Sequence, residues 1–207
     1  MKANTKPLQP NTYYHIYNKG INGTPIFTKE KHYQLFLDKY SYHVAPFVDT
    51  YAYCLMSNHF HKLIRVKSEK EIEEITKLRY KNKKIDNLQK FLSSQFAHLF
   101  NGYTQAFNKD VQRTGGLFES PFRRIEINSG AYFSQLVWYI HFNPQKHGFV
   151  TDFRDYPHSS YWSHLQNKNT KLCREEVLDW FGNNIEYQKF HSAQQNESNL
   201  KSLILEF

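Results

Sequence analysis

Apolar and polar positions along the chain switch between a period of two and a helical period, and the switches mark out the elements. Tyr13 to Lys19 alternates rings, His and Ile before Gly20, and predicts a strand. Thr28 to Val44 opens on a capping Thr and carries Tyr33, Phe36, Leu37 and Tyr40 at helical spacing. Phe47 to Leu55 and His59 to Val66 are β-branched and aromatic, and the short Met56-Ser57-Asn58 link predicts a hairpin between two strands. Lys67 to Lys84 is a charged stretch without an assigned element. Leu88 to Phe107 predicts a helix from Leu88, Phe91, Leu92, Phe96, Leu99 and Phe100. Gly115-Gly116 breaks that pattern, Leu117 to Ile127 reads as a strand, and Ser129 to Phe142 as a helix that Pro144 ends.

The order β-α-β-β-α-β-α predicts an α+β fold, an antiparallel sheet with helices packed mainly on one face. Residues 1–11 carry two prolines and read as a flexible N-terminal arm. The remainder divides into a main domain over 12–144 and a C-terminal extension over 145–207, in which 174–191 is expected to form one or two short helices. No internal repeat or low-complexity segment interrupts the pattern.

Composition narrows the function. The 207 residues carry a formal charge of +8, and Tyr, Phe and Trp number 15, 17 and 3. Cations together with stacking rings suit single-stranded nucleic acid, and a polyanionic partner is expected. Cys54 and Cys173 are the only cysteines, with no metal-binding or disulfide spacing, which fits a reducing cytoplasm. No run of 18 apolar residues occurs, so a membrane partner is not expected.

The chemistry centres on His59-Phe60-His61. On a strand the two imidazoles share one face while Phe60 anchors the other. Tyr139 and Asn143, four apart on a helix, also share a face. Eleven histidines in 207 residues give about 0.6 His-x-His pair by chance, so the pair alone is weak and reads first as two ordinary surface or semi-buried histidines on a half-exposed strand. Tyr-x-x-x-Asn is no rarer, since Tyr14 and Asn18 repeat it. Taken together they make a site: two neutral imidazoles and the Asn143 carbonyl oxygen could hold Mg²⁺ or Mn²⁺ with phosphate oxygens and water completing the shell, and Tyr139 could attack the phosphodiester. Tyr132, seven residues earlier on nearly the same stripe, is the competing nucleophile. Arg123 and Arg124 are candidate phosphate contacts, as are Lys83 and Lys84 within the basic stretch from Lys77 to Lys90.

Five blocks recur in order: YYHIYNKGINGTPIF, YCLMSNHFHKLIRV, GGLFESPFRRI, YIHFNPQKHGFV and YPHSSYW. Over about residues 13–162 they resemble the REP-associated tyrosine transposases, a branch of the single-tyrosine HUH (His-hydrophobe-His) transposases. The resemblance implies a ferredoxin-like fold, His59 and His61 as the metal-binding pair, Tyr139 as nucleophile and Asn143 as the polar residue completing the metal site. It implies cleavage and rejoining of single-stranded, hairpin-forming DNA through a 5′-phosphotyrosine, and leaves monomer and homodimer both open. The rival readings are a relaxase or replication-initiator nickase with the same chemistry, a non-catalytic nucleic-acid-binding relative, and a metal-dependent hydrolase using water. Lys62 departs from the pattern, standing where an aliphatic residue is usual.

Overall fold

The computed structural model describes residues 6–81 and 84–193. Its centre is strand β1 (Tyr13–Lys19), which pairs antiparallel with β3 (His59–Val66) on one side and β4 (Arg123–Ile127) on the other. Strand β2 (Val48–Met56) lies outside β3 and is joined to it through Ser57-Asn58, so the sheet order is β2-β3-β1-β4. Helix α1 (Glu30–His43) connects β1 to β2; α2 (Glu69–Arg79) and α3 (Leu88–Asp110) connect β3 to β4. The expected β-α-β-β-α-β order is thereby realised as a ferredoxin-like sheet.

Side-chain alternation divides this sheet into two surfaces. Ile16, Leu55, Phe60, Ile64 and Val66 face α1 and α3, whose Phe36, Leu92, Phe96, Leu99 and Phe100 form a mainly aromatic and aliphatic core with them. Ala52, Cys54, Met56, Leu63 and Ile127 face the opposite way, toward helix α4 (Gly130–Lys146). Helices thus cover both faces rather than mainly one. The reason lies in α4 itself: every residue from Leu136 to Ile140 is buried, too wide an apolar belt for a helix with one side in water. Its outer side is covered by the extension, which includes α5 (Tyr161–Leu165), α6 (Arg174–Phe181) and α7 (Asn184–Ser192). The short helices expected over 174–191 are α6 and α7.

Four local differences have physical causes. Residues 6–11 are not a loose arm, because Leu8 is wholly buried and the Asn11 N–H bonds the Val66 carbonyl at 2.9 Å. The charged stretch contains α2, nucleated by a capping box in which Ser68 and Glu71 satisfy each other's backbone N–H groups and anchored by buried Ile72. Pairing in β4 starts at Arg123 rather than Leu117, after Pro121, which has no N–H to give a ladder. Pro144 does not end α4: the helix runs on to Lys146, and the His147 N–H closes the last turn on the Asn143 carbonyl at 2.9 Å. A proline this near the end removes only one interior hydrogen bond. Among the described residues, no helix is long and apolar enough to cross a membrane.

Candidate active site

The Ser57-Asn58 link places His59 as the first residue of β3, and alternation brings His61 to the same face. Both are buried, 4% and 3% exposed. The Nδ1 of His59 lies 2.7 Å from the Asn58 carboxamide oxygen. That oxygen only accepts, so Nδ1 carries the proton and the lone pair resides on Nε2. The Nδ1 of His61 lies 2.8 Å from Nε2 of His15 on β1. When His61 is the donor of this bond, the same tautomer results, with Nε2 as the basic nitrogen. Burial holds the His59 pKa down at about 3, with His147 and Lys19 adding to the effect. Burial likewise holds His61 well below its usual value, helped by His15, His59, His147 and Lys146. Both rings are therefore neutral at neutral pH, the state a metal ligand requires.

Helix α4 supplies the other half. Ser129 caps its start, accepting from the Tyr132 N–H, and fixes which residues face the sheet. Tyr139 and Asn143, one turn apart, both turn inward. The Tyr139 ring stands nearly perpendicular to His61, with centroids 5.7 Å apart, and lies 6.4 Å from His15. The Lys146 Nζ sits 5.3 Å from the centre of the same ring. Asn143 is completely buried. Its Nδ2 donates to the Tyr139 carbonyl at 2.7 Å, and its Oδ1 accepts no hydrogen bond from any described residue. A buried carboxamide oxygen left over in this way fits a cation ligand, and with two neutral imidazoles it makes a donor set for a cation that completes its shell with phosphate and water. Among the described residues, no group of three or more His, Cys, Asp or Glu offers an alternative metal centre.

The structure therefore brings His59, His61, Tyr139 and Asn143 together. Tyr132 is seven residues from Tyr139, about 10 Å along the helix axis, beyond reach of the same point. Around the four stand residues that the local patterns do not reveal. His15 and Tyr17 stack at 4.8 Å, and Tyr17 lies nearly parallel to His61 at 5.8 Å. Exposed His147, just past the end of α4, approaches His59 at 5.0 Å. A Tyr-x-His-x-Tyr alternation on β1 is the available signal, but its value depends on β1 neighbouring β3.

The candidate DNA contacts divide. Arg123 pairs with Tyr17 and shares the face of the histidines. Arg124 pairs with Ile16 and is turned to the other face, its guanidinium 4.9 Å above the Phe122 ring. Its Nε and Nη1 are buried without hydrogen-bond partners among the described residues. The two arginines thus cannot serve one phosphate track. Lys84 is exposed, and Lys83 lies outside the described residues.

No family model matches the chain. It is similar to a putative REP-associated tyrosine transposase of Haemophilus influenzae, 28% identical over 140 residues that cover 67% of this chain and 69% of that protein. Its fold is similar to the solved structure of a REP-associated tyrosine transposase bound to a REP hairpin, with a TM-score of 0.59 and 14% identity over 80% of this chain and 86% of the other. The relative and this solved structure carry the same family name.

Proposed function

We propose that this chain, similar in sequence and fold to the REP-associated tyrosine transposases, is a metal-dependent DNA strand transferase acting on single-stranded, hairpin-forming DNA. Residues 12–144 form its catalytic domain, and a DNA substrate places its work in the cytoplasm. Nε2 of His59, Nε2 of His61 and Oδ1 of Asn143 would hold Mg²⁺ or Mn²⁺, which would supply positive charge for the scissile phosphate and its oxygens.

Tyr139 is the nucleophile. Its oxygen attacks the phosphorus, the new O–P bond forms as the P–O3′ bond breaks, the phenol gives up its proton and the departing 3′ oxygen gains one. The strand is left as a 5′-phosphotyrosine and a 3′-hydroxyl, and attack by a second 3′-hydroxyl reverses the step and joins a different end. Lys146 puts positive charge beside the ring from which the nucleophile develops. Asn58 and His15 hold the two imidazoles in the ligating tautomer. Arg123 lies on the same face to receive backbone phosphates.

The observation that carries this reading is the placement of Tyr139 against His61 by a helix that also buries the Asn143 oxygen. The test is incubation of labelled single-stranded hairpin DNA with Mg²⁺ or Mn²⁺, followed by denaturing electrophoresis. A covalent adduct is expected with the wild type and with Tyr132→Phe, and none with Tyr139→Phe. His59→Ala and His61→Ala should lose the adduct while keeping salt-sensitive DNA binding. An adduct that survives Tyr139→Phe and disappears with Tyr132→Phe would overturn the assignment.

A further inference from the structure

Lys62, the residue that departs from the family pattern, sits mid-strand in β3 with its side chain on the face opposite His61. It is 1% exposed, among the largest side chains the fold buries completely. Its Nζ stands 3.8 Å from the ring centre of Tyr40 on α1 and 4.6 Å from that of Tyr53 on β2. Among the described residues no carboxylate pairs with it and no acceptor takes a hydrogen bond from it. The Tyr40 hydroxyl is engaged elsewhere, 2.7 Å from the Thr50 hydroxyl. Aromatic faces stabilise an ammonium but accept none of its N–H groups in the ordinary sense, so the three donors of Lys62 remain unsatisfied by the described residues.

The side chain does not end in solid core. A cavity of about 250 Å³ opens on it between α1, β2 and the segment 170–172, with Gln34, Thr50, Thr170 and Lys171 in its lining. The segment is fastened alongside β2, where the Cys173 N–H bonds the Thr50 carbonyl at 2.9 Å. Lys171 brings a second cation to the rim and donates to the Ser41 hydroxyl. The lining has one carboxylate, Asp38, which accepts from the Gln34 amide at 2.8 Å. The space is below the roughly 300–1,000 Å³ of pockets that hold drug-sized ligands, and so suits an ion with its water.

We propose that this cavity binds a small oxyanion, a phosphate or a carboxylate, with the Lys62 ammonium as its counter-charge. A buried cation needs a partner of opposite sign, and hydroxyl and amide groups around the cavity add donors that an oxyanion can share. The site is on the other side of the sheet from His59 and His61, away from the DNA-cleaving centre, and its occupancy does not depend on the function proposed there.

The test is calorimetric titration of the full chain at pH 7 with sodium phosphate and, separately, sodium acetate, at ionic strength held constant with chloride. One saturable site is expected with at least one of the two, and which one binds identifies the class. Lys62→Met keeps an unbranched chain between the two rings and should weaken binding at least tenfold. Lys171→Ala, an exposed rim change that leaves the core intact, should weaken it about threefold by removing a nearby cation, and it decides the matter if Lys62→Met does not fold. No saturable binding of either anion, or binding unchanged in the folded variants, would overturn the proposal.

Discussion

The Asn143 carboxamide donates to the backbone carbonyl of Tyr139 at 2.7 Å, so the peptide group of Tyr139 orients the side chain one turn further on. Because that carbonyl can only accept, the NH₂ end of Asn143 is committed to it and the oxygen end is directed away. The pair is thus one device: a single helical turn sets the phenol and the amide oxygen together. Its weakness is the Asn143 oxygen, fully buried and accepting nothing from the described residues.

A buried acceptor without a partner costs roughly 1–3 kcal/mol, while an apolar group of the same shape costs little. Asn143→Leu is therefore expected to leave the thermal midpoint in EDTA unchanged or raised, although the hydrogen bond to Tyr139 is gone. The rise produced by Mg²⁺ or Mn²⁺ in the wild type should vanish in the variant. A variant much less stable in EDTA, with its metal response intact, would remove Asn143 from the proposed metal site.

Strand β3 and helix α4 are legible in the sequence because their chemistry is local: His59 and His61 follow from alternation, Tyr139 and Asn143 from the helical turn. The C-terminal helices are legible as helices, but not as the cover of α4. The bond between His15 and His61 spans 46 residues of sequence and exists only because β1 lies next to β3, so no local pattern announces it. Helix α2 is hidden by charge: its buried positions, Ile72 and Thr76, are sparse, although Ser68 and Glu71 spell out its start. Pro144 misleads because a stop signal near a helix end tells little about which side of the proline the end lies on. The opposite orientation of Arg123 and Arg124 is legible and follows from alternation alone.

That division of the arginines has a measurable consequence. Removing one cation that binds a phosphate should reduce the slope of log affinity against log salt by about 0.7 for single-stranded DNA. Arg123→Ala is expected to show such a reduction and Arg124→Met none. Arg124→Met should be neutral or stabilising, since it removes a guanidinium with two buried nitrogens that have no hydrogen-bond partner among the described residues. Equal slopes for Arg123→Ala and wild type would take Arg123 out of the DNA path.

Stability should depend on pH through buried imidazoles. Burial lowers the pKa of His59 and of His191 to about 3, and that of His164 to about 4. In the unfolded chain each titrates near 6.5. Between these values the unfolded chain binds protons that the fold refuses, so unfolding becomes easier as the pH falls. The full stability is present above about pH 6.5, and the loss from 6.5 to 5 is on the order of 2 kcal/mol per site. Urea midpoints should drop steeply between pH 7.5 and pH 5.0, and His164→Phe should flatten the slope by one proton. Matching midpoints at the two pH values would show that these rings are protonated within the fold.

Residues 6–11 are structural. Leu8 is wholly buried in the core that Phe60 and Ile64 share with α1 and α3, and the Gln9 N–H holds the Tyr14 hydroxyl at 2.9 Å. Removing a buried leucine side chain typically costs 2–5 kcal/mol, the larger values where the surroundings cannot close the gap. Rings dominate this core, and stiff aromatic groups collapse poorly, so Leu8→Ala is expected toward the upper half of that range. Chemical denaturation of the variant would measure it, with Gln9→Ala, a surface side chain, as the control that changes little. A loss below about 0.5 kcal/mol, the size of ordinary surface substitutions, would mean that residues 6–11 are a loose arm after all.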